Sequence, residues 1–253
     1  MRVLFVGDIY GQIGLDMFKM SLPELKSTYR PNLIIVNAEN AASGRGINKK
    51  MYKELMELGV AAITMGNWVW GNRELFEFID ESNIIRPINF RKAPGKGSLE
   101  INYNGKKLLV INALGRTFMN ANLLCPFITI EEEITRVNPD YSLIDIHAEA
   151  TSEKIAIGHY LDGKVTAIVG THTHVPTADE RRLPNGTLYI TDVGMTGPLN
   201  GVIGVKKEIV LDRFLNGFSN PNEVEIGAVQ LNAVLLDFVN KKIERIHLES
   251  ETV

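Results

Sequence analysis

Two imidazoles share one short polar segment, His172 and His174 in Gly170-Thr-His-Thr-His174, directly after the apolar run Val165-Thr-Ala-Ile-Val169. Side chains two apart on extended backbone point to the same side, so the pair is expected to face one pocket. Imidazole suits zinc, iron, manganese or nickel, and two such ligands side by side can serve one ion or two neighbours. An H-x-H in a threonine-rich turn needs no metal by itself. Four further apolar runs change that balance, because each hands on a residue of metal-ligand type. Arg2-Val-Leu-Phe-Val-Gly7 leads to Asp8, Leu33 to Ala38 leads to Glu39 and Asn40, Ala61 to Gly66 leads to Asn67, and Tyr141 to Ile146 leads to His147. Singly, Asp8 and Asn67 read as turn residues, Glu39 as a solvated carboxylate and His147 as a hydrogen-bonded core histidine. Their coincidence at strand ends is harder to dismiss, since in α/β folds ligands bind beyond the carboxyl ends of strands and scattered residues converge there. At least three imidazoles, two carboxylates and an amide exceed what one tetrahedral ion uses. Two ions fit better: held about 4 Å apart by a bridging carboxylate and hydroxide, they stabilise both the attacking and the leaving oxygen of a phosphate ester.

These residues need strands to deliver them and helices to cover the strands. Gly11 and Gly14 suggest a loop after the first strand, followed by amphipathic helical material from Leu15 to Tyr29 that Pro23 should interrupt. Asn48 is placed to cap a helix through Leu58, with Gly59 as its stop. Asn72 is expected to cap a helix over Arg73 to Asp80. Asn104-Gly105 between Leu99–Tyr103 and Lys107–Ile111 predicts a type I′ hairpin. Thr129 with Glu132 has the capping-box spacing, and Ser152 is placed to cap a helix through Ile157. After Tyr189 to Val193 the reading is a glycine-rich loop, a helix near Glu208 to Leu215 and two closing strands, Val229–Phe238 and Ile243–Leu248. Strands alternating with helices make the chain α/β, and with no repeat or linker-like stretch residues 1–253 read as one domain.

The composition is that of an ordinary globular protein, 45% hydrophobic and 23% charged, long enough to bury a sizeable core. A net charge of −3 and a pI near 6.0 leave no basic footprint for duplex nucleic acid or a membrane surface. Small anionic substrates stay open, because a metal supplies positive charge locally. Cys125 is the only cysteine, which excludes an intramolecular disulfide and a cysteine metal cluster. The first strand leaves no room for a signal peptide and no run reaches transmembrane length, so a cytoplasmic protein is expected. Self-association is left open.

Gly7-Asp8, Asn37-Ala-Glu-Asn40, Gly66-Asn67, Asp145-Ile-His-Ala-Glu-Ala150, Gly170-Thr-His-Thr-His174 and Thr191-Asp-Val-Gly-Met-Thr-Gly197 together resemble, in order and over nearly the whole chain, the YmdB-like branch of the calcineurin-like metallophosphoesterases. The resemblance implies a sandwich of two β-sheets flanked by helices, four layers in all. It implies a dinuclear site holding iron or manganese, with zinc as the alternative, and hydrolysis of 2′,3′-cyclic nucleotides or related small phosphodiesters. On the family pattern Asp8, Glu39 and His174 would hold one metal and Glu39, Asn67, His147 and His172 the other. Asn40 would lie beside the bridge, as a ligand or as a donor to substrate.

One position departs from that pattern. The family carries a histidine after the Gly-Asn ligand, the residue that contacts the phosphate and protonates the leaving oxygen, whereas this chain has Trp68 in Gly66-Asn67-Trp68-Val-Trp70. Indole donates one hydrogen bond and is no acid near neutral pH. Catalysis is therefore expected to be weakened unless another group, with His159 as the candidate, supplies the proton. The alternative from another class is a non-catalytic metal-binding regulatory or interaction protein. A dinucleotide-binding reading, suggested by Gly7, Gly11, Gly14 and Glu39, fails because Asp8 puts a carboxylate where a pyrophosphate should lie. Tyr160 and Lys164 mimic a dehydrogenase pair, but Asp162-Gly163 breaks the helix that would align them.

Overall fold

A computed structural model describes residues 1–119, 122–218 and 220–252. In chain order its strands are β1 (Arg2–Val6), β2 (Asp8–Ile9), β3 (Leu33–Asn37), β4 (Ala62–Thr64), β5 (Ile84–Ile85), β6 (Ser98–Tyr103), β7 (Lys106–Leu114), β8 (Tyr141–His147), β9 (Ala167–Thr171), β10 (Arg181–Arg182), β11 (Leu188–Ile190), β12 (Met195–Pro198), β13 (Val229–Asp237) and β14 (Lys242–Ser250). The helices are α1 (Gly11–Tyr29), α2 (Lys49–Glu57), α3 (Pro126–Val137), α4 (Thr151–Leu161) and α5 (Lys207–Asn216). One sheet is built on the parallel strands β1, β3, β4 and β5, with β13 antiparallel to β1 and β14 antiparallel to β13. The other runs β10-β11-β9-β8-β7-β6, parallel in its middle and antiparallel at both edges.

Strand alternation explains the layering. Val3, Phe5 and Ile35 of the first sheet pack against Val110, Leu143 and Val169 of the second, forming the core between the sheets. The intervening residues Leu4, Val6 and Val36 face outward under α1 and α2, where Leu15, Phe18 and Leu55 meet them. Ile111, Ile144 and Ile168 do the same under α3 and α4 against Ile130, Ile157 and Leu161. The result is the expected four-layer sandwich of two sheets flanked by helices.

Several local expectations hold. Asn48 Oδ1 accepts the Met51 N–H at 2.8 Å, and Asn104 and Gly105 both take the positive φ that a type I′ turn needs, 50° and 74°. Others are overturned. α1 starts at Gly11 and continues through Pro23, because Leu22 and Leu25 are held in the core on either side of the missing hydrogen bond. Gly14 belongs inside that helix: a Cβ there would lie 2.3 Å from the Thr196 carbonyl oxygen, so the helix crosses β12 at backbone distance. Thr129 is no cap; α3 begins at Pro126, whose fixed φ suits a first helical position, and Thr129 Oγ1 bonds back to the Cys125 carbonyl. α4 starts at Thr151, ahead of Ser152. The Asn72-capped segment forms two short 3-10 turns, Arg73–Glu77 and Ile79–Glu81. The glycine-rich stretch after Val193 contains β12, a strand fixed by pairing with β2 and β13, which are distant in sequence.

Candidate metal centre

The candidate donors divide between the sheets. Asp8 opens β2 just beyond β1, Glu39 and Asn40 follow β3, and Asn67 follows β4. His147 is the last residue of β8, and His172 and His174 follow β9. One sheet thus contributes the oxygen donors and the other the nitrogen donors, and they meet at the carboxyl ends of the parallel strands.

The two histidines of the Thr-His-Thr-His segment do not converge through extended backbone. β9 ends at Thr171, and His172 and His174 have φ values of 99° and 66°. Such angles are uncommon outside glycine and need external support. Thr173 between them supplies it: its N–H and its hydroxyl both donate to Asp192 Oδ2, at 3.1 and 2.8 Å. The same oxygen takes a 2.7 Å hydrogen bond from Lys154 Nζ in an ion pair that is almost wholly buried.

Hydrogen-bond chemistry fixes the tautomer of each ring. His147 Nδ1 lies 2.9 Å from Thr171 Oγ1, which gives its own hydrogen to the Asp145 carboxylate at 2.7 Å. Nδ1 must therefore be the donor, which leaves a lone pair on Nε2. His172 Nε2 lies 3.0 Å from Glu149 Oε2, which leaves a lone pair on Nδ1. His174 Nδ1 donates to the Ile203 carbonyl at 2.9 Å, which leaves a lone pair on Nε2. An acceptor on the outer nitrogen of every ring is the arrangement that orients metal-binding histidines.

The freed lone pairs point at other acceptors. His147 Nε2 lies 3.0 Å from each of Glu39 Oε1, Asn67 Oδ1 and His172 Nδ1. His174 Nε2 faces Asn40 Oδ1 at 3.2 Å, and the Asn40 amide cannot turn its NH₂ inward because that group donates to the Gly44 carbonyl. Asp8 Oδ2 is 4.0 Å from the same His174 nitrogen, and buried Asp8 Oδ1 has no partner among the described residues. Atoms each about 2.1 Å from a shared cation lie about 3–4 Å apart, so both clusters have the spacing of ligand shells. The donor set fits transition metals, with imidazole and carboxylate as the ligand types.

Electrostatics agrees. Burial, then Asp192 and Glu39, pushes the Asp8 carboxyl well above its ordinary value, and burial pushes Glu39 up to about 7 and Asp145 up to about 6. Burial drives His147 far down, and burial followed by the neighbouring His147 takes His172 to about 4; burial also lowers His174. Imidazoles held neutral and carboxylates crowded together make a site that a cation stabilises. Gly66 gives the ligands room: a Cβ there would sit 2.2 Å from Glu39 Oε2 and 2.4 Å from His147 Nε2.

A cavity of about 610 Å³ opens over this cluster, lined by Glu39, Asn40, His172 and His174 together with Tyr10, Arg45, Trp68 and Glu149. Trp68 serves twice, because its backbone N–H donates to Glu39 Oε2 at 2.9 Å while its ring carries the Arg45 guanidinium at 4.4 Å. The structure does not bring His159 to this place. It is exposed in the last turn of α4, about 12 Å of helix rise beyond the start of that helix, and is not among the lining residues. Arg45 and Lys154 were not singled out in the sequence, and Glu149 and Asp192 stood only inside the motifs that carry the resemblance, without a role. Gly44-Arg45-Gly46 was the available signal for the first, a cation between glycines just after Asn40.

The family model described as YmdB-like protein matches residues 4–249. A 2′,3′-cyclic-nucleotide 2′-phosphodiesterase of Bacillus subtilis (strain 168) is 47% identical over 260 residues, covering 99% of this chain and 98% of its own. A crystal structure of a hypothetical protein from Thermus thermophilus superposes with a TM-score of 0.95 at 40% identity, covering 99% of this chain and 100% of its own. A structure described as a novel phosphatase of Mycoplasma pneumoniae gives 0.94 at 40% identity, covering 100% and 94%.

Proposed function

Because the chain belongs to the YmdB-like family, we propose that it is a phosphodiesterase that binds two transition-metal ions, iron or manganese, and hydrolyses 2′,3′-cyclic nucleotides or related small phosphodiesters in the cytoplasm. The observation that carries this reading is the convergence of imidazole lone pairs with carboxylate and amide oxygens on two points, one bounded by Glu39, Asn67, His147 and His172, the other by Asp8, Asn40 and His174. Bound there, the ions would supply Lewis acidity toward the phosphoryl oxygens and lower the pKa of a water. Glu39 lies 3.0 Å from His147 and also interacts with Asn40 and His174, and it is the bridging group in this reading. Its negative charge offsets the repulsion of two cations held close together.

Arg45 is the one arginine or lysine among the described residues that line the cavity. Its planar fork suits two phosphoryl oxygens at once, and its fixed charge stabilises the pentavalent transition state. It cannot donate a proton to the leaving oxygen, and neither can the Trp68 indole. Without an imidazole acid at position 68 the ribose alkoxide leaves less readily, which makes hydrolysis of a cyclic nucleotide slow. The specificity in the name of the Bacillus relative, transferred to this chain, opens the P–O2′ bond and leaves a 3′-phosphate.

A second reading rests on Trp68 alone: the same centre in a non-catalytic metal-binding regulatory or interaction protein. Protein purified without chelator, analysed for metals and incubated with 2′,3′-cyclic AMP, separates the two. Two ions per chain with slow formation of 3′-AMP supports the enzyme. Two ions with no product above the metal-only background favours the regulatory protein.

A further inference from the structure

Trp68 also borders a second cavity, of about 440 Å³, whose other lining residues are Asn67, Trp70, Phe90, Leu114, Phe118, Met119 and His172. We propose that this cavity is a nucleobase subsite, holding the purine or pyrimidine ring of a substrate whose phosphate lies at the metal centre. The inference rests on the phosphodiesterase reading for its purpose, but not for its test.

Position is the first argument. Asn67 and His172 belong to the candidate ligand shell and to the wall of this cavity alike. A ring seated here is therefore one side chain away from the reacting phosphorus, the relation that a ribose imposes between base and phosphate. The volume falls within the roughly 300–1,000 Å³ of small-molecule sites.

Chemistry is the second. Four of the lining residues are aromatic, and none of the described ones is a lysine, arginine or carboxylate. The anionic part of a nucleotide is thereby directed to the Arg45 side of Trp68 and its flat, uncharged part to this side. Trp70 is pre-set as a wall, stacked on Phe76 at 5.0 Å with 14° between the planes and tilted against Phe90 at 6.1 Å. Phe118 stands at the rim, 82% exposed and with a φ of 62°, a large apolar side chain left uncovered. Stacking on such surfaces is tolerant of base identity, so the subsite would accept both purines and pyrimidines.

The chain has only two tryptophans; both line this cavity and Trp68 borders the metal-centre cavity as well, so quenching reports entry of a ligand and its loss in Phe118 and Phe90 variants assigns it to this cavity. Adenosine, which carries no phosphate, is titrated into the metal-loaded protein, with ribose and inorganic phosphate as controls. Saturable quenching by adenosine alone is expected, weakened about tenfold in Phe118→Ala and in Phe90→Leu. In turnover, Phe118→Ala should lower the ratio of kcat/KM for 2′,3′-cyclic AMP to that for base-free glycerol 1,2-cyclic phosphate by about the same factor. No saturable quenching by adenosine at millimolar concentration overturns the proposal. So does quenching by an apolar dye or an aromatic peptide without adenosine, which would mark a docking cleft for a protein segment. If neither cyclic phosphate is hydrolysed, the phosphodiesterase reading fails while the adenosine titration still decides the subsite.

Discussion

Gly66→Ala adds one methyl group at the crowded centre of the site. Gly66 has no positive φ, so alanine suits the backbone and the effect is steric. The new Cβ would lie 2.2 Å from Glu39 Oε2 and 2.4 Å from both His147 Nε2 and His147 Cδ2. Ordinary contact begins at 3.4 Å, so both ligands must withdraw by about 1 Å. Glu39 cannot withdraw freely, because Oε2 is held by the Trp68 backbone N–H; His147 is tied through Thr171 to Asp145. Overpacking of this kind costs about 1–3 kcal/mol, and each kcal/mol lowers Tm by about 2–4 °C in a domain of this size. The functional loss should be larger: displacing a reacting group by about 1 Å costs roughly 100-fold in rate, and disturbed ligand support costs roughly 10- to 100-fold in metal affinity. Elemental analysis after dialysis, calorimetric metal titration and turnover of 2′,3′-cyclic AMP measure these together. Gly66→Ala protein that kept two ions at wild-type affinity and turned over at the wild-type rate would refute the geometry of the cluster formed by Glu39, Asn67, His147 and His172.

Glu39→Gln should abolish hydrolysis and leave the fold intact, since the amide lacks the charge that holds two cations together; wild-type turnover in that variant removes Glu39 from the bridge. Trp68→His should raise the rate on 2′,3′-cyclic AMP toward the roughly 100- to 10,000-fold that a general acid contributes, with a smaller gain on bis-p-nitrophenyl phosphate, whose leaving group needs no proton. Equal gains on both substrates would mean that residue 68 acts by shape alone. Asp192→Asn strands the buried Lys154 ammonium at a cost of about 3–5 kcal/mol and releases Thr173, so Tm should fall by about 10 °C together with metal retention, with the Tm partly recovered in Asp192→Asn/Lys154→Met. An unchanged Tm in the single variant contradicts the role given to the ion pair. Chelation should lower Tm by about 5–10 °C and metal restore it, the stabilisation expected at about 100 times the dissociation constant; calorimetry showing no shift argues against bound ions at this centre.

The residue types that converge at the candidate site were legible in the sequence because their signals are local. A buried strand ending in Gly-Asp, Gly-Asn or Thr-His announces its ligand types through period and neighbours, without knowledge of where the strand lies. The α/β class followed from the same alternation of strands and helices, whereas the two-sheet sandwich was implied only by the family resemblance. Local signals failed where a distant partner decides the conformation. Asn37-Ala-Glu-Asn40 does not tell that its oxygens will meet nitrogens from the other sheet, since that depends on how two sheets close over Phe5, Val110 and Val169. Extended backbone was a fair expectation for His172 and His174, yet Asp192 bends that segment through Thr173 and gives both histidines positive φ. His159 looked available because the sequence holds few histidines; α4 carries it away from the cavity into solvent. The second cavity has no local signature, since Trp70, Phe90, Leu114 and Phe118 come from separate segments and form one wall only after folding. Residue types are written along the chain, but ring tautomers, the convergence of lone pairs and the walls of a cavity depend on contacts between segments far apart in sequence, and only the tertiary structure sets those.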